Sequence, residues 1–250
     1  MKKVQIEICC GSALDALEAQ KAGADRVELC SALTLGGLTP SLGQVKVAKA
    51  AGVQVMAMVR PRESGFCYTE TEFQTMLCDA AAFVEAGADG VVFGFLHEDG
   101  TVDEARCRAI IDVIGDREKV FHRAIDVTPD WKRAMDTVMD LGCTRILTSG
   151  QKATVLEGAD TVRQMREYAA GRIQILPGAG VRPGNAQEVL ERTGCDQLHF
   201  SFKKVCRDES AAGKPDIHFG GKPYEDEACY GMANREAIAD LIKKLNSAAL

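Results

Sequence analysis

Short apolar runs recur along the chain, and a helical pattern of apolar positions separates each run from the next. The first residues of successive runs lie 22 to 37 residues apart, which leaves room for one helix in each interval. Strands that alternate with helices in this way predict an α/β protein, a (β/α)8 TIM barrel in a single domain that spans residues 1–250. The eight predicted strands are Val4–Cys9, Arg26–Cys30, Val53–Arg60, Gly90–Phe95, Lys119–Ala124, Arg145–Ser149, Ile173–Pro177 and Gln197–Ser201.

The residues that begin and end the predicted helices support this alternation. Ser12 can cap a helix over Ala13–Ala22, and Thr69 and Glu72 have the spacing of a capping box at the start of another. A doubly wound open sheet is the competing fold, but it usually has a glycine-rich turn after the first strand, and Gly11 stands alone there. The pattern therefore favours the barrel.

One segment after the eighth predicted strand does not fit a minimal barrel. Residues 203–231 are rich in Lys, Asp, Gly and Pro and have little periodicity. A long excursion of this kind predicts an irregular segment that serves as a lid, a mobile loop or the arm of a homodimer. Apolar positions at helical spacing then predict a closing helix over residues 232–246.

The composition narrows the classes of partner and compartment. The chain is 46% hydrophobic and carries a formal net charge of −6, without a run of Lys and Arg, so nucleic acid is not an expected partner. The first residues lack the apolar stretch of a signal peptide, and no window approaches the roughly 18 apolar residues of a membrane span. We therefore expect a cytoplasmic protein with no membrane contact.

Two strings of similar sequence, 21 residues apart, hold the most unusual chemistry. They are Glu7-Ile8-Cys9 and Glu28-Leu29-Cys30, and each lies at the end of a predicted strand. Residues two apart in a strand share a face, so each string directs a carboxylate and a thiol to the same side. Because burying such groups without partners is costly, the arrangement predicts a site.

Further polar side chains are expected at the same end of the barrel, where the active sites of this fold lie. Glu7, Glu28, Arg60, His122 and His199 are candidate catalytic residues, as general acids and bases or as charges that hold a substrate. A second group is expected to hold an anion through guanidinium groups and glycine-rich backbone: Arg62, Arg123, Ser149, Gly150, Gly178 and Gly180. Each residue taken alone also has an ordinary structural interpretation, as a buried ion pair or a hydrogen-bonded core histidine.

A metal site is the alternative interpretation of the same end. Cys9 and Cys30, with Met58 near them, offer the soft sulfur ligands that suit Cu(I). The ten cysteines include no C-x-x-C pair and no zinc-type spacing, and most are expected to be small buried side chains.

Taken together, several strings in the chain resemble the CutC family, in the expected order from residue 7 to about 201. They are Glu7-Ile8-Cys9, Gly23-Ala24-Asp25-Arg26-Val27-Glu28-Leu29-Cys30, Gly36-Gly37-Leu38-Thr39-Pro40-Ser41, Met58-Val59-Arg60-Pro61-Arg62, Phe121-His122-Arg123-Ala124-Ile125-Asp126, Arg145-Ile146-Leu147-Thr148-Ser149-Gly150 and Leu176-Pro177-Gly178-Ala179-Gly180-Val181. The resemblance implies a cytoplasmic TIM barrel associated with copper homeostasis and often dimeric. It also implies Cys9 and Cys30 as the Cu(I) ligands, and it attaches no reaction to the family.

Two departures from the family pattern bear on the site. Where the family typically has three glycines, this chain has Gly178-Ala179-Gly180. The methyl group of Ala179 would hinder the backbone if the position needs a positive φ. Lys203 replaces an arginine after the eighth strand, which removes a planar fork suited to an anion.

Three hypotheses follow from the residues and the resemblance. We rank Cu(I) handling through Cys9 and Cys30 first as the role that the resemblance implies. The alternative is a TIM-barrel enzyme of unknown reaction that acts on a small anionic or phosphorylated metabolite. The third is a homodimeric binding protein with residues 203–231 at its interface.

Overall fold

Eight parallel strands alternate with helices in the computed structural model, which describes residues 3–214, 216–219 and 226–247. The strands are β1 (Gln5–Cys10), β2 (Arg26–Leu29), β3 (Val55–Met58), β4 (Gly90–Phe93), β5 (Glu118–Phe121), β6 (Arg145–Thr148), β7 (Gln174–Pro177) and β8 (Gln197–Phe200). All eight predicted strands are confirmed. Most are shorter than predicted, because the residues at their carboxyl ends already belong to the loops that form the site.

The helices follow the strands as expected. They are α1 (Ala13–Lys21), α2 (Leu42–Ala50), α3 (Glu70–Glu85), α4 (Glu104–Ile114), α5 (Trp131–Asp140), α6 (Ala159–Ala169), α7 (Ala186–Thr193) and α8 (Arg235–Ser247), with 3-10 turns at Leu33–Leu35, Arg123–Val127 and Glu209–Ala211. The predicted caps are confirmed. The Ser12 hydroxyl accepts from the Asp15 N–H, and Thr69 and Glu72 form a reciprocal capping box.

The strand order closes the sheet into a barrel. The hydrogen-bonded order is β7-β6-β5-β4-β3-β2-β1-β8, and β7 lies beside β8. Because β1 pairs with both β2 and β8, the first and the last strand of the barrel are neighbours. The doubly wound alternative is therefore excluded. The register places Glu7 between Arg26 and His199, and Cys9 opposite Glu28.

The two faces of each strand have opposite character. Ile6 and Ile8 point outward into the apolar layer between strands and helices, where both are 1% exposed. The inward face of the same strand holds Glu7, which is buried inside the barrel. Its Oε2 accepts from the Arg26 guanidinium at 2.5 Å and lies 3.8 Å from Arg145. A buried ionic network thus fills the barrel below its carboxyl end.

The segment after β8 is more regular than predicted. Two antiparallel strands, β9 (Lys203–Arg207) and β10 (Cys229–Ala233), form a pair that we call the arm. The predicted irregular segment is wrong at these strands, and residues 215 and 220–225 lie outside the described residues. The predicted start of the closing helix is also wrong, since β10 extends to Ala233 and α8 begins at Arg235. The buried Asp15 carboxylate accepts from Lys203 Nζ and from the Ala233 N–H, which fastens the arm to α1.

None of the helices within the described ranges combines the length and the apolar character that a membrane crossing requires.

Candidate functional site

A cavity of about 800 Å³ opens at the carboxyl end of the barrel strands. Its wall is built from the ends of successive strands, and the loop at 179–183 and residues 201–203 complete the rim. The side chains that face the cavity from the strand ends are Cys9, Glu28, Met58, Arg60, His122, Leu147 and His199. This is the end at which the active sites of TIM barrels lie.

A chain of contacts links the barrel interior to the cavity through His199. Glu7 Oε1 lies 2.8 Å from His199 Nδ1, which fixes the plane of the imidazole ring. Burial opposes ionisation of Glu7, but the hydrogen bond with His199 and the charges of Arg26 and Arg145 lower the pKa of Glu7 to about 2. Glu7 lies beneath the cavity wall, so the structure gives it the position of a residue that orients His199.

Glu28 lies at the junction of the two strings that the sequence singles out. Its Oε2 is 3.4 Å from Cys9 Sγ, 3.6 Å from Cys30 Sγ and 3.7 Å from His199 Nε2. Burial raises the pKa of Glu28 well above its ordinary value, and the neighbouring Cys9 and Glu7 raise it further against the opposing charge of His199. Its other oxygen, Oε1, is buried and has no hydrogen-bond partner among the described residues.

The two thiols at this junction differ in ionisation. The hydrogen bond with Cys30, helped by His199 and opposed by burial, lowers the pKa of Cys9 well below its ordinary value. The hydrogen bond with Cys9 and burial raise the pKa of Cys30. Burial alone would lower the pKa of His199, but Glu28, Cys9 and Glu7 raise it well above the ordinary range. The cluster therefore favours a thiolate at Cys9 beside an imidazolium at His199.

Arg60 brings a buried cation to the cavity without an anion to neutralise it. Its guanidinium donates to the backbone carbonyls of Leu35, Gly37 and Ser64, and the residue is 7% exposed. Among the described residues, no carboxylate pairs with it, and its Nε has no hydrogen-bond partner. Gly37 permits the close approach of this loop: its φ is +85°, and a Cβ there would lie 3.1 Å from Cys30 Sγ.

His122 also lines the cavity and has a ring nitrogen without a hydrogen-bond partner among the described residues. Its Nδ1 accepts from the Ala124 N–H at 3.2 Å, so the neutral ring carries its proton on Nε2. Nε2 is buried and has no partner within the described part of the chain. Burial, together with the positive charges of Arg60 and Arg123, lowers the pKa of His122 to about 3. His122 is therefore a neutral hydrogen-bond donor.

Four of the six predicted anion-binding residues do not line the cavity: Arg62, Ser149, Gly150 and Gly178. The Arg62 guanidinium donates to Glu72 and to backbone carbonyls, away from the wall. Ser149 is fully buried, and its N–H and hydroxyl donate to neighbouring oxygens. The Gly150 N–H donates to the Thr148 hydroxyl. The structure does not bring Arg62, Ser149 and Gly150 to the cavity, and their donors are already used within the fold.

Asp126 holds the loop after β6 in place, although it is not among the predicted site residues. Its carboxylate accepts from the Thr148 hydroxyl and from the N–H groups of Ser149 and Gln151. It also accepts from Arg123 Nε at 2.8 Å, and this leaves the partly exposed Arg123 at the edge of the cavity. The position of Asp126 just after a strand with an inward histidine was the only available signal.

In the glycine-rich turn after β7, the first residue packs inside the fold and the next two line the cavity. Gly178 is buried, its N–H donates to Thr148 O, and a Cβ there would lie 3.2 Å from the His199 ring. Ala179 and Gly180 both have φ near +75° and line the cavity. The expected conflict at Ala179 is therefore present: a residue with a Cβ occupies a left-handed conformation.

The positive charges around the cavity exceed the negative ones. Arg123 is paired with Asp126 and Lys203 with Asp15, so the lysine that replaces the family arginine is already engaged. Arg182, which belongs to none of the predicted site residues, lines the rim and has no ion-pair partner in the ranges that the structure covers. With Arg60 and Arg182 unneutralised, the cavity is electrostatically suited to an anion.

Comparison with known proteins identifies relatives over most of the chain. The model of the CutC family matches residues 4–204. A family protein CutC of Treponema denticola is 51% identical over 246 residues, which cover 98% of this chain and 100% of the relative. One from Xylella fastidiosa is 42% identical over 221 residues, or 88% and 83% of the two chains.

A solved structure agrees with these matches. It is a CutC from Streptococcus agalactiae, described as a candidate copper homeostasis protein. It is 34% identical, superposes with a TM-score of 0.76, and the match covers 79% of this chain and 98% of that one. The sequence relatives and the structural neighbour thus agree on one family.

Proposed function

The chain belongs to the CutC family, and from this membership and the geometry of the cavity we propose that it is an enzyme that acts on a small anionic metabolite. The observation that carries the proposal is the Arg60 guanidinium, which is buried at the cavity and has no carboxylate partner among the described residues. A role in copper homeostasis would not explain why the Arg60 guanidinium is buried beside the cavity.

Arg60 argues for an anionic ligand because of what its isolation costs. A buried charge without a partner is unfavourable by several kcal/mol, and three carbonyl oxygens satisfy its hydrogens without neutralising its charge. A carboxylate or phosphate group in the cavity would supply the missing charge. The guanidinium would meet it at the cavity wall, which Arg60 helps to form.

The other unpartnered atoms describe the rest of the ligand. His122 Nε2 offers a hydrogen to an oxygen of the ligand, and Glu28, whose pKa is raised, offers an acidic proton. A metabolite with an acidic group and further oxygen atoms therefore matches the cavity. A volume of about 800 Å³ accommodates a small phosphorylated or carboxylated compound.

Thermal unfolding in the presence of phosphate monoesters and small carboxylates tests the proposal. A ligand at 100 times its Kd adds about 2.7 kcal/mol to the stability. For a chain of this size that raises Tm by roughly 5–10 °C. Arg60→Met should abolish the shift, whereas the matched variant Arg62→Met, whose guanidinium lies outside the cavity, should keep it. If no compound raises Tm, or if both variants respond as the wild type does, the proposal is wrong.

A second candidate function is Cu(I) binding, and one observation favours it. Ligand atoms of Cys9, Glu28 and Cys30 all lie within 4.8 Å of one another. Two sulfurs at this separation suit Cu(I), which prefers soft ligands in low coordination numbers. Cu(I) would then be held by Cys9 and Cys30, as the resemblance implied, with a carboxylate oxygen of Glu28 as a third candidate ligand.

Competition between the protein and a Cu(I) chelator tests the second candidate. The wild type should withdraw about one Cu(I) per chain, since one of the two candidate metal-binding groups among the described residues contains two thiols. The double variant Cys9→Ser, Cys30→Ser should withdraw none. Cys78→Ser is the matched control, because that thiol is exposed on α3. Equal affinity in the double variant and the control would exclude this site.

We also propose that the protein forms a homodimer and lies in the cytoplasm. Exposed side chains on the arm support the dimer. Val205 on β9 and Tyr230 on β10 are 62% and 46% exposed, which is unusual for apolar side chains in a paired strand. Light scattering on Val205→Lys should then give a lower mass than the wild type. An unchanged mass would remove the arm from the interface.

A further inference from the structure

Cys9, His199 and Glu7 stand in the order of a nucleophile, a base and a residue that positions the base. Glu7 and His199 are register partners on adjacent strands, and Glu7 Oε1 contacts Nδ1 of the ring. The opposite nitrogen, Nε2, therefore faces the carboxyl end of the barrel, where Cys9 follows Glu7 by two residues on the same face of β1. Glu28 Oε2 lies 3.4 Å from Cys9 Sγ and 3.7 Å from His199 Nε2, so the sulfur and the ring nitrogen have the same carboxylate as a neighbour.

Independent observations indicate that this group faces a ligand. His122 and Arg60 are at least nine-tenths buried, both line the same cavity as Cys9, and each has a nitrogen without an acceptor among the described residues. Donors that are held in place without acceptors are what a developing oxyanion requires. Neither donor is needed to explain the Glu7–His199–Cys9 contacts.

We propose that Cys9 is the nucleophile of an acyl-transfer reaction, that His199 moves the proton, and that Glu7 positions His199. The inference rests on the proposed function, and it specifies the substrate class as an ester or thioester that also bears a carboxylate or phosphate group. Arg60 binds the anionic group, and His122 Nε2–H donates to the acyl oxygen.

The atoms and electrons of this reaction balance with water as the second substrate. The Cys9 thiolate attacks the acyl carbon, a C–S bond forms, and the carbonyl π electrons move to the oxygen. When the carbonyl re-forms, the bond to the alcohol or thiol breaks, and the leaving group takes the proton from His199 Nε2. Water then attacks the acyl-cysteine and gives a proton back to His199, and the C–S bond breaks to release the acid and restore the thiolate.

The structure distinguishes Cys9 from the adjacent Cys30. Cys30 is fully buried, packs against Met56 and Met58, and lies under Gly37. Cys9 is partly exposed and forms part of the cavity wall. A substrate in the cavity can therefore approach the sulfur of Cys9 and not that of Cys30.

Alkylation of the native protein, followed by mass spectrometry of the peptides, tests the nucleophile without any substitution. At pH 7 iodoacetamide should modify Cys9 roughly tenfold faster than the exposed Cys67 and Cys78, because a histidine base beside a cysteine activates its sulfur. The protein is first treated with a Cu(I) chelator, since copper across Cys9 and Cys30 would block the reaction. If Cys9 reacts no faster than the exposed thiols, the inference is wrong.

Comparison of iodoacetate with iodoacetamide separates the nucleophile from the anion site. If Arg60 attracts anions, iodoacetate should gain about tenfold over iodoacetamide at Cys9 relative to Cys78, the equivalent of one charge-assisted hydrogen bond. Arg60→Met should remove this preference, and Arg62→Met should retain it. Rapid modification without the preference would contradict the anion site of the proposed function and leave Cys9 as the nucleophile. A preference for iodoacetate at Cys9 without rapid modification would support the anion site and contradict Cys9 as the nucleophile.

An activated anionic ester tests the acyl transfer itself. With the mono-4-nitrophenyl ester of succinic acid, the wild type should release a burst of about one nitrophenolate per chain, and Cys9 should carry one succinyl group. Cys9→Ser should lack the burst, and Cys78→Ser should retain it. A burst of equal size in Cys9→Ser, or wild-type protein without acylated Cys9, would overturn the inference.

Discussion

The unusual state of His122 predicts a pH dependence of stability that one substitution should remove. Burial, with the charges of Arg60 and Arg123, lowers the pKa of His122 from 6.5 to about 3. The unfolded chain therefore binds a proton at this residue below pH 6.5, while the native protein does not. Because the unfolded state gains the extra proton, the contribution of His122 to stability is full above pH 6.5 and is lost as the pH falls towards 3.

The size of the effect follows from the shift. Each pH unit between the two pKa values costs about 1.4 kcal/mol, so lowering the pH from 8 to 5 should cost about 2 kcal/mol at His122. His199 acts in the opposite sense in this window. Its pKa is raised, so its contribution is present below 6.5 and is lost as the pH rises. The informative quantity is therefore the difference between the wild type and a variant of His122.

The substitution His122→Asn keeps an acceptor for the Ala124 N–H and removes the titrating ring. Urea unfolding of both proteins at pH 8 and pH 5 gives two free-energy differences. The wild type should lose about 2 kcal/mol more than the variant between these pH values. The control Ile125→Val, which is destabilised by about 1 kcal/mol in the same turn, should follow the wild type. If His122→Asn also follows the wild type, the neutral buried histidine is not the source.

Three further substitutions test other parts of the structure by urea unfolding. Ala179→Gly should raise the free energy of unfolding by about 0.5–1 kcal/mol, because glycine relieves the positive φ; a loss would contradict the strain. Arg26→Met should cost about 3–5 kcal/mol, since it leaves the buried Glu7 carboxylate without its 2.5 Å partner; a cost below about 1 kcal/mol would refute this. Thr69→Ala should cost about 0.5–2 kcal/mol through the lost capping box, and an unchanged midpoint would count against it.

The arm illustrates where sequence patterns stop being informative. Lys203–Arg207 and Cys229–Ala233 are each five residues long, and each is stabilised by the other across a long intervening segment. The first strand is mostly charged, so it lacks the apolar run by which the barrel strands are recognised. Pairing between two short segments that are distant in the chain leaves little trace in either one, and an irregular segment was therefore predicted.

Ser149 and Gly150 illustrate a different limit. Their residue types and their position after β6 suit an anion. Ser149 does meet one, but it is the carboxylate of Asp126 from the preceding strand-loop unit, and the Gly150 N–H donates to the Thr148 hydroxyl. Composition and position predict that donors exist. They do not predict which acceptor bonds to these donors in the folded protein, because that depends on how two loops pack.

The sequence by itself determined the barrel and the end at which its chemistry lies. Apolar periodicity depends on which face of an element is buried, so eight strands and the inward direction of Glu7, Glu28 and the two histidines could be inferred from the printed residues. Only the tertiary structure decided which of these groups are satisfied. It paired Glu7 with Arg26 and His199, and it left Arg60 Nε and His122 Nε2 without acceptors. Hydrogen bonds and ion pairs depend on distances of a few ångströms between strands that are far apart in the chain, and those distances exist only once the barrel closes.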